Sequence, residues 1–186
     1  MQRRKQLTVI YSLIGVVGIV LILVIVWFFG KENRFLKYKD ENQGFSIQYP
    51  ASWEASTKVE GTAVIFLSPS EGALDIFREN VNVVIQDLSK NPVDIKEYSE
   101  TALKQLESAF DTGFQIVESG EARLAKTPAY HVVYLVKSKD IELKIMHVWT
   151  VIGLKAYQLT YTALSNKYDE NLGKVEKMIN SFAVSL

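Results

Sequence analysis

The chain has 186 residues, 21 Lys+Arg against 21 Asp+Glu, two histidines and no cysteine. That balance leaves no basic field for nucleic acid. The absence of cysteine excludes thiolate nucleophiles, Cys-ligated metals, a disulfide framework and a lipidated cysteine, and by itself says little about compartment.

Residues 1–6 hold Arg3, Arg4 and Lys5, the only charges in the first thirty positions, so the remainder carries a formal charge of −3. Residues 7–29 read LTVIYSLIGVVGIVLILVIVWFF without a single charge. At about 1.5 Å per residue such a helix covers about 35 Å, enough for a bilayer core of about 30 Å. Tyr11 stands towards one end and Trp27, Phe28 and Phe29 at the other, where headgroup-level rings are expected. A cleaved signal peptide is the rival reading, but its apolar region is typically about 7–15 residues. The exit VIVWFFG also puts Phe28 where cleavage wants a small side chain. An uncleaved, single-pass transmembrane anchor is therefore expected.

Lys31, Arg34, Lys37 and Lys39 follow the run closely, so the flanking cations alone do not orient it. A long domain translocates largely regardless of charge, which favours a cytoplasmic tail (1–6) and a C-terminal domain outside the cytoplasm. The membrane would be a plasma or thylakoid-like one. Ser12, Gly15 and Gly18 form a small-residue face spaced by three, for which lipid exposure is a simpler reading than helix pairing.

Residues 30–43 are rich in charge and end near Asn42-Gln43-Gly44, a turn signal, so they read as a linker ahead of one domain at 44–186. The roughly 155 residues after the apolar run suffice for a single core. Phe45, Ile47 and Tyr49 alternate with polar residues up to Pro50, the period of a half-buried strand. Further strands are expected at 63–67 and 80–88. A helix is predicted over 94–110: Asp94 and Glu97 have capping-box spacing, Val93 and Tyr98 staple spacing, and Ile95, Tyr98, Ala102, Leu103, Leu106 and Phe110 form one stripe.

Strands are then expected at 114–119, ended by Gly120, and at 129–137, 141–152 and 156–163. Ser138-Lys139-Asp140 reads as a three-residue hairpin connection. The last element is a helix capped by Ser165 or Asn166, with Asp169 and Glu170 in its first turn and Tyr168, Leu172, Val175, Ile179 and Phe182 along one side. The pattern is α+β, a central antiparallel sheet flanked by helices.

Several phrases, in order, resemble the PsbP-like family, relatives of the extrinsic oxygen-evolving-complex protein of photosystem II. They are Phe45-Ser46-Ile47 with Tyr49-Pro50 and Trp53, Val64-x-Phe66-x-Ser68-Pro69, Asn82-Val83, Ser119-Gly120, Pro128-Ala129-Tyr130, Tyr157-x-Leu159-x-Tyr161-x-Ala163 and Met178-Ile179-x-Ser181-Phe182. The resemblance covers 44–184. It implies a sheet flanked by helices that serves as a binding scaffold without known catalysis. Trp53, Phe66, Tyr157, Leu159 and Phe182 would be core, and Pro50, Pro69 and Pro128 would mark turns. The N-terminal apolar run departs from the peripheral photosynthetic proteins and points towards membrane-attached bacterial relatives.

Little chemistry is legible. There is no P-loop, HExxH, GxSxG or dinucleotide fingerprint. If 138–140 is a three-residue loop, His131 falls opposite His147, with Cβ atoms about 4.5–5.5 Å apart, close enough to share a metal. Ordinary strand positions beside Val133, Ile145 and Trp149 are the plainer reading, and a one-residue shift would separate the two rings. Asp75, Glu79 and Asp87 lack the dense oxygen pattern of a calcium loop. Asp94, Glu97 and Glu100 fit a helix N-terminus.

The expectation is a membrane-anchored, extracytoplasmic and non-enzymatic interaction module with a protein partner and no cofactor. It would assist the assembly or stability of a neighbouring membrane complex. The alternative is a ligand- or metal-binding domain using His131 and His147 or a groove beside the sheet.

Overall fold

Alternation of apolar and polar residues drives most of the chain into antiparallel strands. The computed structural model describes residues 34–73, 75–110, 113–138 and 141–185. The proposed anchor at 7–29 and the tail before it lie outside these residues. Among the described residues no helix is long and apolar enough to cross a membrane.

The described residues form ten strands and two helices in the order β1 (Phe35–Asp40), β2 (Phe45–Pro50), β3 (Glu54–Ser56), β4 (Val64–Leu67), β5 (Asn80–Asp87), α1 (Ile95–Ala109), β6 (Phe114–Leu124), β7 (Thr127–Ser138), β8 (Ile141–Ile152), β9 (Lys155–Leu164), α2 (Tyr168–Ser181) and β10 (Ala183–Val184). Seven strands form the main sheet in the order β3-β4-β5-β9-β8-β7-β6, and β1-β2-β10 form a second, smaller one. Every pairing is antiparallel.

Directly paired residues share a face, so the register sorts the side chains. One face of the main sheet carries Val64, Phe66, Val81, Val83, Val148, Leu159 and Tyr161, all buried against the small sheet and α2. Ring contacts knit the layers: Tyr49 lies 4.8 Å from Phe66, Phe45 5.6 Å from Phe182 and Tyr157 6.0 Å from Phe182. The other face carries Val132, Tyr134 and Trp149, over which α1 lays Ile95, Tyr98, Ala102, Leu103 and Leu106. Both stripes expected of the helices are the sides they bury. The N-terminus of α1 is capped as read from sequence, with Asp94 Oδ1 accepting from the Glu97 N–H at 2.9 Å.

Four expectations change. Residues 35–40, read as linker, form β1, because Tyr38 and Phe35 have Ile47 and Pro50 to pair with on β2. The cap of α2 is Lys167 rather than Ser165 or Asn166, and no side chain caps it. β6 runs through Gly120 to Leu124, since the partner strand β7 continues beside it. It turns back through Ala125 (φ 51°) and Lys126 (φ 65°), left-handed residues without the usual Asn-Gly signature. Finally, β7 and β8 close on each other at Ser138 and Ile141, so their connection holds two residues instead of three.

Gly113 marks where α1 hands over to β6. Its φ is +76°, and a Cβ there would stand 2.6 Å from the Lys137 carbonyl oxygen. Gly113→Ala is expected to lower stability by about 1–3 kcal/mol, measured as a shift of the urea midpoint at unchanged slope.

Candidate functional site

The two-residue hairpin moves the histidines apart. His131 pairs with Val148 and His147 with Val132, so the rings project from opposite faces of the sheet. A metal shared between them is not possible in this register; the side-chain period of two turns a one-residue slip into a change of face. Among the described residues no three His, Asp or Glu side chains converge as metal ligands. The acidic groups are likewise dispersed. Asp75 accepts from the Glu71 and Phe77 N–H groups, Asp87 from the Ser89 N–H, and Glu79 is buried against the Ser68 hydroxyl at 3.2 Å.

His147 lies on the α1 side, edge-on to Trp149 with ring centroids 5.0 Å apart. Its Nε2 is 3.0 Å from Gln158 Oε1; Gln158 Nε2 donates to the Tyr98 hydroxyl at 2.8 Å, and that hydroxyl donates to Gln86 Oε1 at 2.8 Å. A second link ties the helix to the sheet: Trp149 Nε1 donates to Ser99 Oγ at 2.9 Å, and Ser99 Oγ donates to the Ile95 carbonyl at 2.6 Å. Both are docking contacts, with each donor matched to an acceptor and no nucleophile beside a base. Burial lowers the His147 pKa to about 4, against a smaller opposing effect of the Gln158 hydrogen bond.

His131 lies on the α2 side, with Nδ1 3.1 Å from the Gly120 carbonyl oxygen and Nε2 3.1 Å from Glu118 Oε1. Glu118 is brought there by a β-bulge between Ile116 and Glu118, which resets the alternation of β6. Sequence periodicity offered no signal for it.

Two clefts flank β6, the last strand of the main sheet, one on each face. Between α1 and the β6–β7 hairpin lies a groove of about 520 Å³ lined by Ile95, Ser99, Leu103, Ala122 and Tyr130, with Lys96, Glu100 and Glu121 at its margin. Between α2 and strands β6 to β8 lies a cleft of about 330 Å³ that contains Glu118 and His131. These concave surfaces beside an edge strand are the candidate functional region.

Two outcomes are expected from the polar links. Ser99→Ala leaves the buried Trp149 N–H without an acceptor and should cost about 1–3 kcal/mol in urea unfolding, whereas a substitution on the exposed side of α1 should cost little. Because His147 binds its proton less readily folded than unfolded, the unfolded chain takes up more protons between about pH 6.5 and 4. Stability should therefore fall as pH drops through that window, by roughly 3 kcal/mol across it, and His147→Gln should flatten the dependence.

Residues 33–184 match the PsbP family model. Among solved structures, cyanobacterial PsbP (CyanoP) from Synechocystis sp. PCC 6803 is 17% identical with a TM-score of 0.58, over 81% of this chain and 92% of that one. LpqN, involved in cell envelope biogenesis of Mycobacterium tuberculosis, is 13% identical with a TM-score of 0.66, over 83% and 93%. The Saccharomyces cerevisiae Ran-binding protein Mog1p is 11% identical with a TM-score of 0.56, over 81% and 95%. No curated protein matches in sequence. At these identities the structural likeness speaks to the fold alone, while the family model spans nearly all of the folded domain: the chain belongs to the PsbP family.

Proposed function

We propose that this protein is a non-enzymatic interaction module, held at the outer face of a membrane by residues 7–29, that assists assembly or stability of a neighbouring membrane complex. What supports the reading is how little chain lies between the uncharged run and the first strand. β1 begins at Phe35, so only residues 30–34 separate the uncharged run from the first paired strand. Five residues reach at most about 18 Å when fully extended. A domain on so short a tether works on what lies at the bilayer surface.

The recognition surfaces support the same reading. The α1 groove is apolar with a charged margin, the make-up of a protein-binding patch. The polar links beneath α1 fasten the helix to the sheet and set no nucleophile beside a base in the groove. Among solved structures of this fold, one is a Ran-binding protein, a description compatible with binding a partner in place of turnover. A second reading, a small-molecule binder, draws on the volume of the α1 groove, about 520 Å³.

Fractionation and crosslinking test the proposal together. The full chain should stay in the membrane pellet through alkaline carbonate, and a chain of residues 34–186 alone should be released. Crosslinking in native membranes should give one dominant heavier species that is lost with the apolar run. Recovery of the intact chain in the aqueous fraction would contradict the anchor. Retention in the pellet with no crosslinked neighbour, and a thermal shift with a small molecule, would favour the second reading.

A further inference from the structure

The end of the main sheet at which the chain enters the domain carries an aliphatic side chain that the fold holds in water. Ile76 is 76% exposed, more than any other large hydrophobic among the described residues. A single exposed aliphatic is ordinary on a protein surface. This one sits in a connection fastened on both sides by polar contacts. The Asp75 carboxylate accepts from the Glu71 N–H at 3.0 Å and from the Phe77 N–H at 3.2 Å. Arg78 Nε donates to the Ser68 carbonyl at 2.6 Å, and its Nη1 pairs with Glu54 Oε2 at 3.1 Å. Lys167, at the start of α2, pairs with Glu71. Ile76 stands between these clamps, presented to solvent.

Its place relative to the tether assigns it an occupant. The Arg34 carbonyl accepts from the Ala51 N–H at 2.8 Å. Glu54 is three residues beyond Ala51 and is joined to Arg78, and Ile76 is two residues before Arg78. β8 begins at this same end of the sheet with Ile141, which is 40% exposed. Val59 and Leu154, also exposed, lie at the opposite end, one in the connection after β3 and the other in the turn between β8 and β9. Residues 30–34 reach at most about 18 Å, so the Ile76 end of the sheet is the one nearest the uncharged run.

We propose that the domain docks end-on upon the bilayer, with the Ile76 side chain at the boundary between headgroups and acyl chains. The inference rests on the membrane-anchor reading and adds a second point of contact, one that fixes how the domain stands. An apolar side chain gains free energy on leaving water without needing a specific partner, and the tether keeps the lipid at high effective concentration. The charges around Ile76 do not oppose this: Glu71 and Glu54 are paired, and both Asp75 oxygens accept from backbone N–H groups. Docking by charge fits less well, since of the exposed lysines on β1, Lys39 already pairs with Glu41 at 2.9 Å. End-on docking stands β7 upright, with Ser138 towards the lipid and Thr127 away from it. The α1 groove, lined by Ala129 and Tyr130, then opens about 30 Å above the bilayer at about 3.4 Å per strand residue.

The chain has no cysteine, so each single substitution carries one label. The full chain is placed in phosphatidylcholine vesicles, with and without phosphatidylglycerol, and an environment-sensitive fluorophore is attached at Ile76→Cys, Leu154→Cys or Leu23→Cys. Lipids bearing a nitroxide in the headgroup or the acyl chain serve as quenchers. The label at 76 should shift to the blue and be quenched, equally in low and high salt, while the label at 154 keeps its aqueous emission. Because a fluorophore can itself seek lipid, a label at Ser52→Cys, at the tether end, leaves Ile76 in place. Its quenching should weaken on Ile76→Ser, with the melting temperature unchanged because the isoleucine already stands in water.

Aqueous emission at 76, quenching at 154 as strong as at 76, or a Ser52 label indifferent to Ile76→Ser would overturn the proposal. So would quenching at Lys37→Cys that exceeds quenching at 76 and vanishes in high salt, which would lay the outer face of β1 on the lipid instead. With Leu23 quenched from the acyl chain, such a failure leaves the anchor standing. A chain quenched at 76 but washed off by alkaline carbonate keeps the docking and sinks the anchor.

Discussion

The register of β7 against β8 is the constraint from which the rest of the domain follows. Because strand side chains alternate, one residue of slip in this long hairpin would exchange every inward position for an outward one. The observed pairing, Val132 with His147 and Val133 with Met146, puts Val132, Tyr134 and Trp149 beneath α1 and leaves Val133 and Val148 for the core on the α2 side. β9 then extends the same order, with Leu159 opposite Val148 and Tyr161 opposite Met146. Two hydrophobic layers result, one closed by α1 and the other by α2 with the small sheet.

That geometry leaves β6 at the border of both clefts. It is the outermost strand on its side, it separates the groove under α1 from the cleft beside α2, and its bulge aims a carboxylate into the latter. An open edge is normally blunted by charge or irregularity to prevent uncontrolled pairing. Here Glu118, Glu121 and Arg123, all exposed, put that charge along β6. The interior contributes rigidity: Trp149 to Ser99, and Gln158 to Tyr98, fasten the helix that forms one wall of the groove.

Much of this is legible in the sequence alone. The stripe of α1 and its Asp94 cap, the alternation of Tyr157, Leu159 and Tyr161, and the paired strands on either side of 139–140 all come from local patterns with a local physical cause. The phrases shared with the PsbP-like family led to the right family. What escaped was non-local or unsigned. β1 hides in a charged stretch because its pairing comes wholly from β2. The Ala125-Lys126 turn takes left-handed backbone from residues that seldom signal it. A bulge adds one residue without changing composition, so the placement of Glu118 could not be read. The two-histidine idea failed on the length of one loop by a single residue, the kind of detail that decides face without leaving a mark in the sequence.

Cross-strand nuclear Overhauser contacts on the folded domain test the account most directly. The backbone protons of residue 131 should meet those of 148, and those of 132 should meet 147, with no contact joining 131 to 147 as direct partners. Contacts between 131 and 147 would reverse the faces of β7 relative to β8, and with them the site of Trp149, the separation of the two clefts and the acidic cleft beside α2.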